Sequence, residues 1–423
     1  MDTVMNSPAG LRVAMLAPFG IRPKGTLSAR MLPLAQALVR RGHSVSIIAP
    51  PIQNPEDAGK RQIYDGVTVI HTRSPRSPAP LGGIERTAEL LRQALATRPD
   101  VLHLFKPKGY SGLAALASLL VRPHLPLVLD TDDWEGWGGW NDLLPYPLAA
   151  KMVFAWQERD LPRRAAAVTV ASRTLESQIW GFGVAPGRVF YLPNGIAARQ
   201  AAPVGDAAAR DSSRPGRVLL LYTRFWELDV RDVVVALVAV LARCPDARLL
   251  IVGRGERGEE YTLLELAQRA GVAAAVDYHG WAEPAQIPAL LGAADVALVP
   301  MDDTLINRAR CSAKLLELMA AGLPIVAGRV GQVGEYIEDG RSGLLVPPSD
   351  PAALAQAALV LLHDASLRAR LGRAARERVT RHFSWDTLAV HLERAYAAAL
   401  DRSTTAATYH EPPSAVKRVD DGR

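Results

Sequence analysis

Two charged residues stand in an otherwise apolar helical stretch, Ser312-Ala-Lys-Leu-Leu-Glu-Leu-Met-Ala-Ala-Gly322. Lys314 and Glu317 are three apart and share a face, while Leu315, Leu316, Leu318 and Met319 make the helix largely buried. Charges on a buried helix need partners or a ligand. Ser312 is placed to cap this helix. A diphosphate at the helix start would meet both the positive end of the dipole and the Lys314 ammonium. Glu317 is then free to accept hydrogen bonds from ribose hydroxyls; the alternative is a structural Lys–Glu pair. Arg224 directly follows the apolar run Arg217–Tyr222. Its planar fork suits phosphate oxygens, or else it forms a surface ion pair with Glu227 or Asp229. Arg308 and Arg310 are either phosphate ligands or solvated charges.

Gly253-Arg-Gly255-Glu-Arg-Gly258 fits a Gly-x-Gly-x-x-Gly turn after a strand, but no acidic strand end stands at the distance a dinucleotide site needs. A tight strand–helix turn explains it equally well. Asp132 and Asp133 follow the run Pro126–Asp130, with Trp134, Trp137 and Trp140 close behind. Carboxylates bind sugar hydroxyls, and indole faces cover apolar sugar or lipid surface; helix-capping carboxylates and core tryptophans are the plainer account. A metal held by Asp130, Asp132, Asp133 and Glu135 is a weaker alternative, and no cofactor or metal is expected. Lys106 and Lys108 end another strand and meet either an anionic acceptor or water. Glu335 opens a helix after a Gly-rich turn, where it offsets the dipole or binds a ligand.

The elements that carry these residues alternate. Val/Ile/Leu-rich runs such as Leu11–Ala17, Val45–Ala49, Val101–Phe105 and Pro126–Asp130 are separated by helical patterns such as Ala29–Arg41. Continuous apolar runs predict strands covered on both faces, hence a parallel sheet. After a polar stretch at Ala197–Gly216 the alternation restarts, with Ala247–Gly253, Asp295–Pro300 and Pro324–Gly328. This predicts an α/β chain of two doubly wound Rossmann-like domains facing a cleft. The boundaries are 1–200 for the first domain and 216–383 for the second. A terminal helix, 384–400, packs back toward the first, and a disordered tail spans 401–423. The net charge of +6, from 49 basic and 43 acidic side chains, suits anionic ligands but lacks the dense basic arm of a nucleic-acid binder. Only Cys244 and Cys311 are present, which rules out a disulfide scaffold. No apolar run is long enough to span a membrane and no leader pattern opens the chain. The expected location is the cytoplasm, with peripheral contact at the inner membrane face left open.

The stretches Tyr278–Pro300 and Lys314–Asp364, with His382–Trp385, Leu192–Ile196 and the opening Leu11–Gly20, resemble the retaining glycosyltransferases of family 4, the group 1 enzymes of GT-B fold. The resemblance implies transfer of a sugar from a nucleoside diphosphate sugar, bound mainly by the second domain, with retention at the anomeric carbon. It implies that Glu317 holds the ribose and that Arg224 and Lys314 stabilise charge on the diphosphate. It further implies that Gly253, Gly280 and Trp281 line the nucleotide side, and that Gly20, Lys24 and Gly25 form a loop near donor phosphate and acceptor. Asp132 and Asp133 occupy the region where many relatives carry a histidine near the donor sugar.

Three departures stand out. The family's usual first glutamate, which contacts the donor sugar, is replaced by Ala309; its usual lysine is replaced by Asp229, with Arg231 close by; and Thr223 replaces a glycine before Arg224. They keep a second reading open, a non-catalytic nucleotide-sugar-binding or partner-binding protein, and a less favoured third, a nucleotide-sugar epimerase. The expected partners are a nucleoside diphosphate sugar and a sugar, lipid-linked or small-molecule acceptor, without nucleic acid. Pro145–Arg164 is either a packed helix or a membrane-touching one.

Overall fold

The computed structural model describes residues 10–22, 25–197 and 217–408. Lys24, most of the Ala197–Gly216 stretch and the tail beyond Thr408 lie outside these residues. Among the described residues, the first sheet has eight strands: β1 Arg12–Leu16, β2 Ser44–Ala49, β3 Arg61–Tyr64, β4 Val67–His71, β5 Val101–Phe105, β6 Leu127–Thr131, β7 Ala167–Val170 and β8 Val189–Tyr191. Their spatial order is β3-β4-β2-β1-β5-β6-β7-β8. The second sheet has six: β9 Arg217–Tyr222, β10 Ala247–Val252, β11 Val276–Gly280, β12 Val296–Val299, β13 Ile325–Gly328 and β14 Leu344–Val346. Their order is β11-β10-β9-β12-β13-β14. All pairings are parallel except β3 with β4, an edge hairpin that the sequence pattern did not reveal.

The apolar runs are continuous because each central strand is covered twice. Val13 and Met15 of β1 pack with Leu34, Leu38, Leu392 and Tyr396 on one face. Ala14 and Leu16 pack with Leu90, Ala94, Ala114 and Ala115 on the other. In each sheet the winding reverses beside the first strand, between β1 and β5 and between β9 and β12. Ligands of open α/β sheets bind outside the carboxyl ends of strands at such switch points. The segments leaving these strands carry Gly20, Lys106, Arg224 and Met301.

The terminal helix Trp385–Thr408 returns to the first sheet, packing on the helix Leu32–Arg40 and on β6, β7 and β8. Trp385, Leu388, Leu392 and Tyr396 are buried there. Arg40 pairs with Asp386 at 2.6 Å, and Arg41 and His43 share Glu393 at 2.5 and 3.0 Å. The helix also runs past Leu400, so residues 401–408, expected to be disordered, continue it. Where it leaves the second domain, Ile196 donates to the Phe383 carbonyl at 2.8 Å and Trp385 donates to the Ile196 carbonyl at 3.1 Å. The end of the first domain's described chain and the chain leaving the second domain therefore run side by side at Ile196 and Ser384.

Arg30 lies at the centre of the first domain's working edge. A π-helical turn, Leu27–Met31, precedes the helix Leu32–Arg40 and turns Arg30 inward, where it is 1% exposed. Its guanidinium grips both oxygens of Asp130 at 2.8 and 2.7 Å, and donates to Asn194 Oδ1 at 3.0 Å and to the Leu192 carbonyl at 2.8 Å. Thr169 donates to the same Asp130 at 2.6 Å. Removing one partner of a buried pair strands the other charge. Arg30→Met should therefore lower unfolding free energy by about 3–5 kcal/mol in denaturant titration, and adding Asp130→Leu should recover part of that loss.

Candidate functional site

The strand end Tyr222 and the helix Ala313–Ala320 meet across the second sheet's switch point. Ser312 caps the helix by accepting from the Leu315 amide at 3.4 Å. Lys314 Nζ stands 3.8 Å from the centroid of the Tyr222 ring, and the Tyr222 hydroxyl donates to Glu317 Oε2 at 3.0 Å. One phenol thus engages both charged residues of the apolar helix. Burial first, and then the Glu317 charge, push the Tyr222 phenol well above its ordinary value, so it stays a proton donor. Sequence reasoning missed Tyr222; its only signal was an aromatic closing an otherwise aliphatic strand. A small pocket opens to solvent here, lined by Tyr222, Thr223, Glu227, Met301, Ser312 and Lys314.

Arg224 stands at the rim with half its side chain exposed. It pairs with Glu256 at 2.7 Å rather than with Glu227 or Asp229. Asp229, in the place of the expected lysine, caps the helix Val230–Leu241 by accepting from the Arg231 amide at 2.9 Å, and leaves Arg231 pointing into solvent. Arg310 turns inward, 3.5 Å from Glu227. Arg308 turns outward onto Asp303 at 2.7 Å. Gly253 has φ +131°, and a β-carbon on it would stand 1.8 Å from the Thr223 carbonyl oxygen. Its amide donates to the Gly280 carbonyl at 2.8 Å. These glycines let three strand ends converge behind Arg224. Trp281 is 62% exposed and donates to Glu283 at 3.0 Å, so it is not a core residue. Glu335 is exposed in the short helix Val333–Tyr336, on the side of Arg173 and Tyr191.

Across the cleft, Lys106 and Lys108 do not reach an acceptor or solvent. Both are 5% exposed and turn into a carboxylate cluster. Lys106 bridges Asp132 at 3.2 Å, Asp133, and Glu135 at 2.8 Å, while Lys108 holds Glu135 at 2.8 Å. Tyr146 and Phe154 rings lie 5.0 and 5.3 Å from Lys108 Nζ. Thr26 also reaches Asp132, at 3.4 Å. Burial drives the Asp133 carboxyl up, with Lys106 opposing. Gly20 is buried, and a side chain there would overlap Asn54 Oδ1; Gly25 is exposed and donates to Ser28 Oγ at 3.1 Å. Trp140 meets Trp226 of the second domain edge-on at 5.2 Å and so serves the contact between domains, while Trp134 donates to the Trp137 carbonyl at 3.0 Å within its own loop. Asn194 binds Cys311 through two bonds, to its carbonyl at 2.7 Å and from its own amide to Sγ at 3.0 Å. The Cys311 thiol is pushed up to about 11 by burial.

Two family models match. Residues 25–195 fit the "Glycosyl transferase 4-like domain" and residues 216–364 fit "Glycosyl transferases group 1". The chain belongs to the group 1 glycosyltransferases. A glycogen synthase of Mycobacterium tuberculosis is 29% identical over 71% of this chain and 69% of its own length. A phosphatidyl-myo-inositol mannosyltransferase of Mycolicibacterium smegmatis is 27% identical over 91% of this chain and 93% of its own. The fold is GT-B: sucrose-phosphate synthase from Thermosynechococcus elongatus superposes with a TM-score of 0.70 at 22% identity, over 94% of this chain and all of the other. Anabaena HepE, solved with UDP and glucose, gives 0.67 at 18% over 92% of this chain and 99% of its own.

In this glycosyltransferase the lysine–carboxylate cluster makes stability depend on acid pH. Burial opposes ionisation of Glu135, but Lys106 and then Lys108 outweigh it and hold the carboxyl down to about 2. An acid with a depressed folded pKa contributes stability that is complete above its unfolded value and lost as pH falls through the folded one. Glu135→Gln should be less stable than the parent by about 3 kcal/mol at pH 7, and the gap should close between about pH 5 and 2 in denaturant titrations.

Proposed function

We propose that this glycosyltransferase moves a sugar from a nucleoside diphosphate sugar to an acceptor hydroxyl with retention at the anomeric carbon. The observation that carries the reading is the pocket at the β9–β12 switch point, where a capped helix start, Lys314 and Tyr222 meet, with Glu317 held next to it by the Tyr222 hydroxyl. A helix N-terminus with an ammonium beside it fits a diphosphate. The carboxylate one turn on fits ribose hydroxyls. The names of relatives support a donor of this class, since HepE was solved with UDP-glucose and a mannosyltransferase relative is named GDP-mannose-dependent.

In this mechanism the bond from the anomeric carbon to the diphosphate breaks while the acceptor oxygen attacks the same face. Lys314 and Arg224, the latter released from Glu256, offset the charge that grows on the diphosphate. The departing phosphate oxygen takes the acceptor's proton. Asp132, fixed by Lys106 and Thr26 on the opposite wall, orients sugar hydroxyls. No metal or cofactor enters the scheme.

A lipid-linked acceptor fits the outer surface beside the cleft. On the helix Leu148–Arg164, Leu148, Met152, Val153 and Trp156 are exposed, and Arg159, Arg163 and Arg164 continue the same face. An apolar arc with basic residues suits an anionic bilayer surface. Among the described residues no helix is long and apolar enough to cross a membrane. The phosphatidyl-myo-inositol relatives act, by name, on a lipid.

Incubation with UDP-, GDP- and ADP-sugars should release the matching nucleoside diphosphate, and NMR of the product should show the donor's anomeric configuration kept. Lys314→Ala should lower turnover about 100-fold. Binding without any release, in the presence of extracted lipid and sugar acceptors, would favour the non-catalytic reading. Vesicles of phosphatidylglycerol should sediment the protein, phosphatidylcholine vesicles much less, and Met152→Ser with Trp156→Ser should abolish the difference.

A further inference from the structure

Glu227 is the residue of this cavity that the family pattern leaves unassigned. It follows Arg224 in the turn after β9 and is 6% exposed. Its backbone carbonyl is pinned by the Asp302 amide and by Asn307 Nδ2, both at 2.8 Å. One carboxylate oxygen, Oε1, lies 3.5 Å from Arg310. The other, Oε2, is buried and has no hydrogen-bond partner among the described residues, although the side chain lines the cavity beside Ser312 and Lys314. An acceptor buried without a donor is costly to keep.

The chemistry of the missing donor is constrained. An ionised carboxylate only accepts hydrogen bonds. Phosphate oxygens of a bound diphosphate carry no hydrogen to give it and would repel it. The partner must bring O–H or N–H groups. Glu317 is held by Tyr222 and does not line this cavity, so the two carboxylates serve different parts of a ligand. The position where a sugar-contacting glutamate was expected is Ala309, fully buried in the core. Arg310, the next residue, reaches to Glu227 instead.

We propose that Glu227 binds the donor's sugar ring, its Oε2 accepting hydrogen bonds from ring hydroxyls, and that it takes the place of the absent glutamate from a different strand end. Arg310 positions it and balances its charge against the diphosphate. This rests on the nucleotide-sugar reading and adds the residue that senses the sugar.

The test is calorimetric titration of UDP, UDP-glucose, GDP and GDP-mannose into the parent protein and Glu227→Gln. For the base that binds, the variant should hold the bare nucleotide diphosphate within about threefold of the parent, yet lose about tenfold or more in affinity for its sugar nucleotide. Retained diphosphate binding also shows that the pocket is folded. Equal losses for both ligands, or no change in either, would overturn the role of Glu227 while leaving the nucleotide site standing. Failure of the parent to bind all four, with no ADP released from ADP-sugars, would instead overturn the nucleotide-sugar reading, and this inference with it.

Discussion

A single buried guanidinium holds the two halves of the cleft in register. Arg30 spends its hydrogen-bonding capacity on Asp130, Asn194 and the Leu192 carbonyl. Through Asn194 the connection continues to Cys311 and to the Tyr336 hydroxyl, which lies 2.6 Å from Cys311 Sγ and donates to the Asn194 carbonyl at 3.0 Å. These residues belong to both domains, and the Arg310–Lys314 segment follows directly. Such an ion pair adds little net stability over an apolar substitute, because desolvation consumes most of the attraction. Its value is geometric: four hydrogen bonds with fixed directions permit one arrangement of the loop after β1, the end of β6 and the crossing chain.

The same economy governs the charges around the cavity. Most basic residues are already engaged: Arg224 with Glu256, Arg310 with Glu227, and Lys106 and Lys108 with three carboxylates. Surface pairs like Arg224–Glu256 are weak because both groups remain solvated, so an anionic ligand could exchange with them, whereas the Lys106 cluster is buried. Rim cations are therefore available to a ligand, and deep ones serve to hold the walls.

The sheets were legible in the sequence because strands covered on both faces lose the alternation of a half-exposed strand and show as unbroken apolar runs. The β3 hairpin at the edge was not, since Arg-Gln-Ile-Tyr carries neither a continuous nor a clean apolar pattern. Lys314 and Glu317 were found as charges on an apolar helix, and the structure brings them to one ring. Lys106 and Lys108, expected to meet an anionic acceptor or water, do neither, because the carboxylates that bury them lie more than 20 residues away in the chain and meet them only when β5 pairs with β6. Glu227 entered only as a surface ion-pair partner for Arg224, which turns to Glu256 instead. Its burial arises from Arg310 and Asn307, some 80 residues distant.

The paired segments at Ile196 and Ser384 have a mechanical consequence. Two ribbons joined edge to edge by backbone bonds resist twisting and sliding far more than bending. The strip sits beside the polar knot of Asn194, Cys311 and Tyr336, so the ties between the lobes are gathered at one place, with the Trp140–Trp226 contact a separate one.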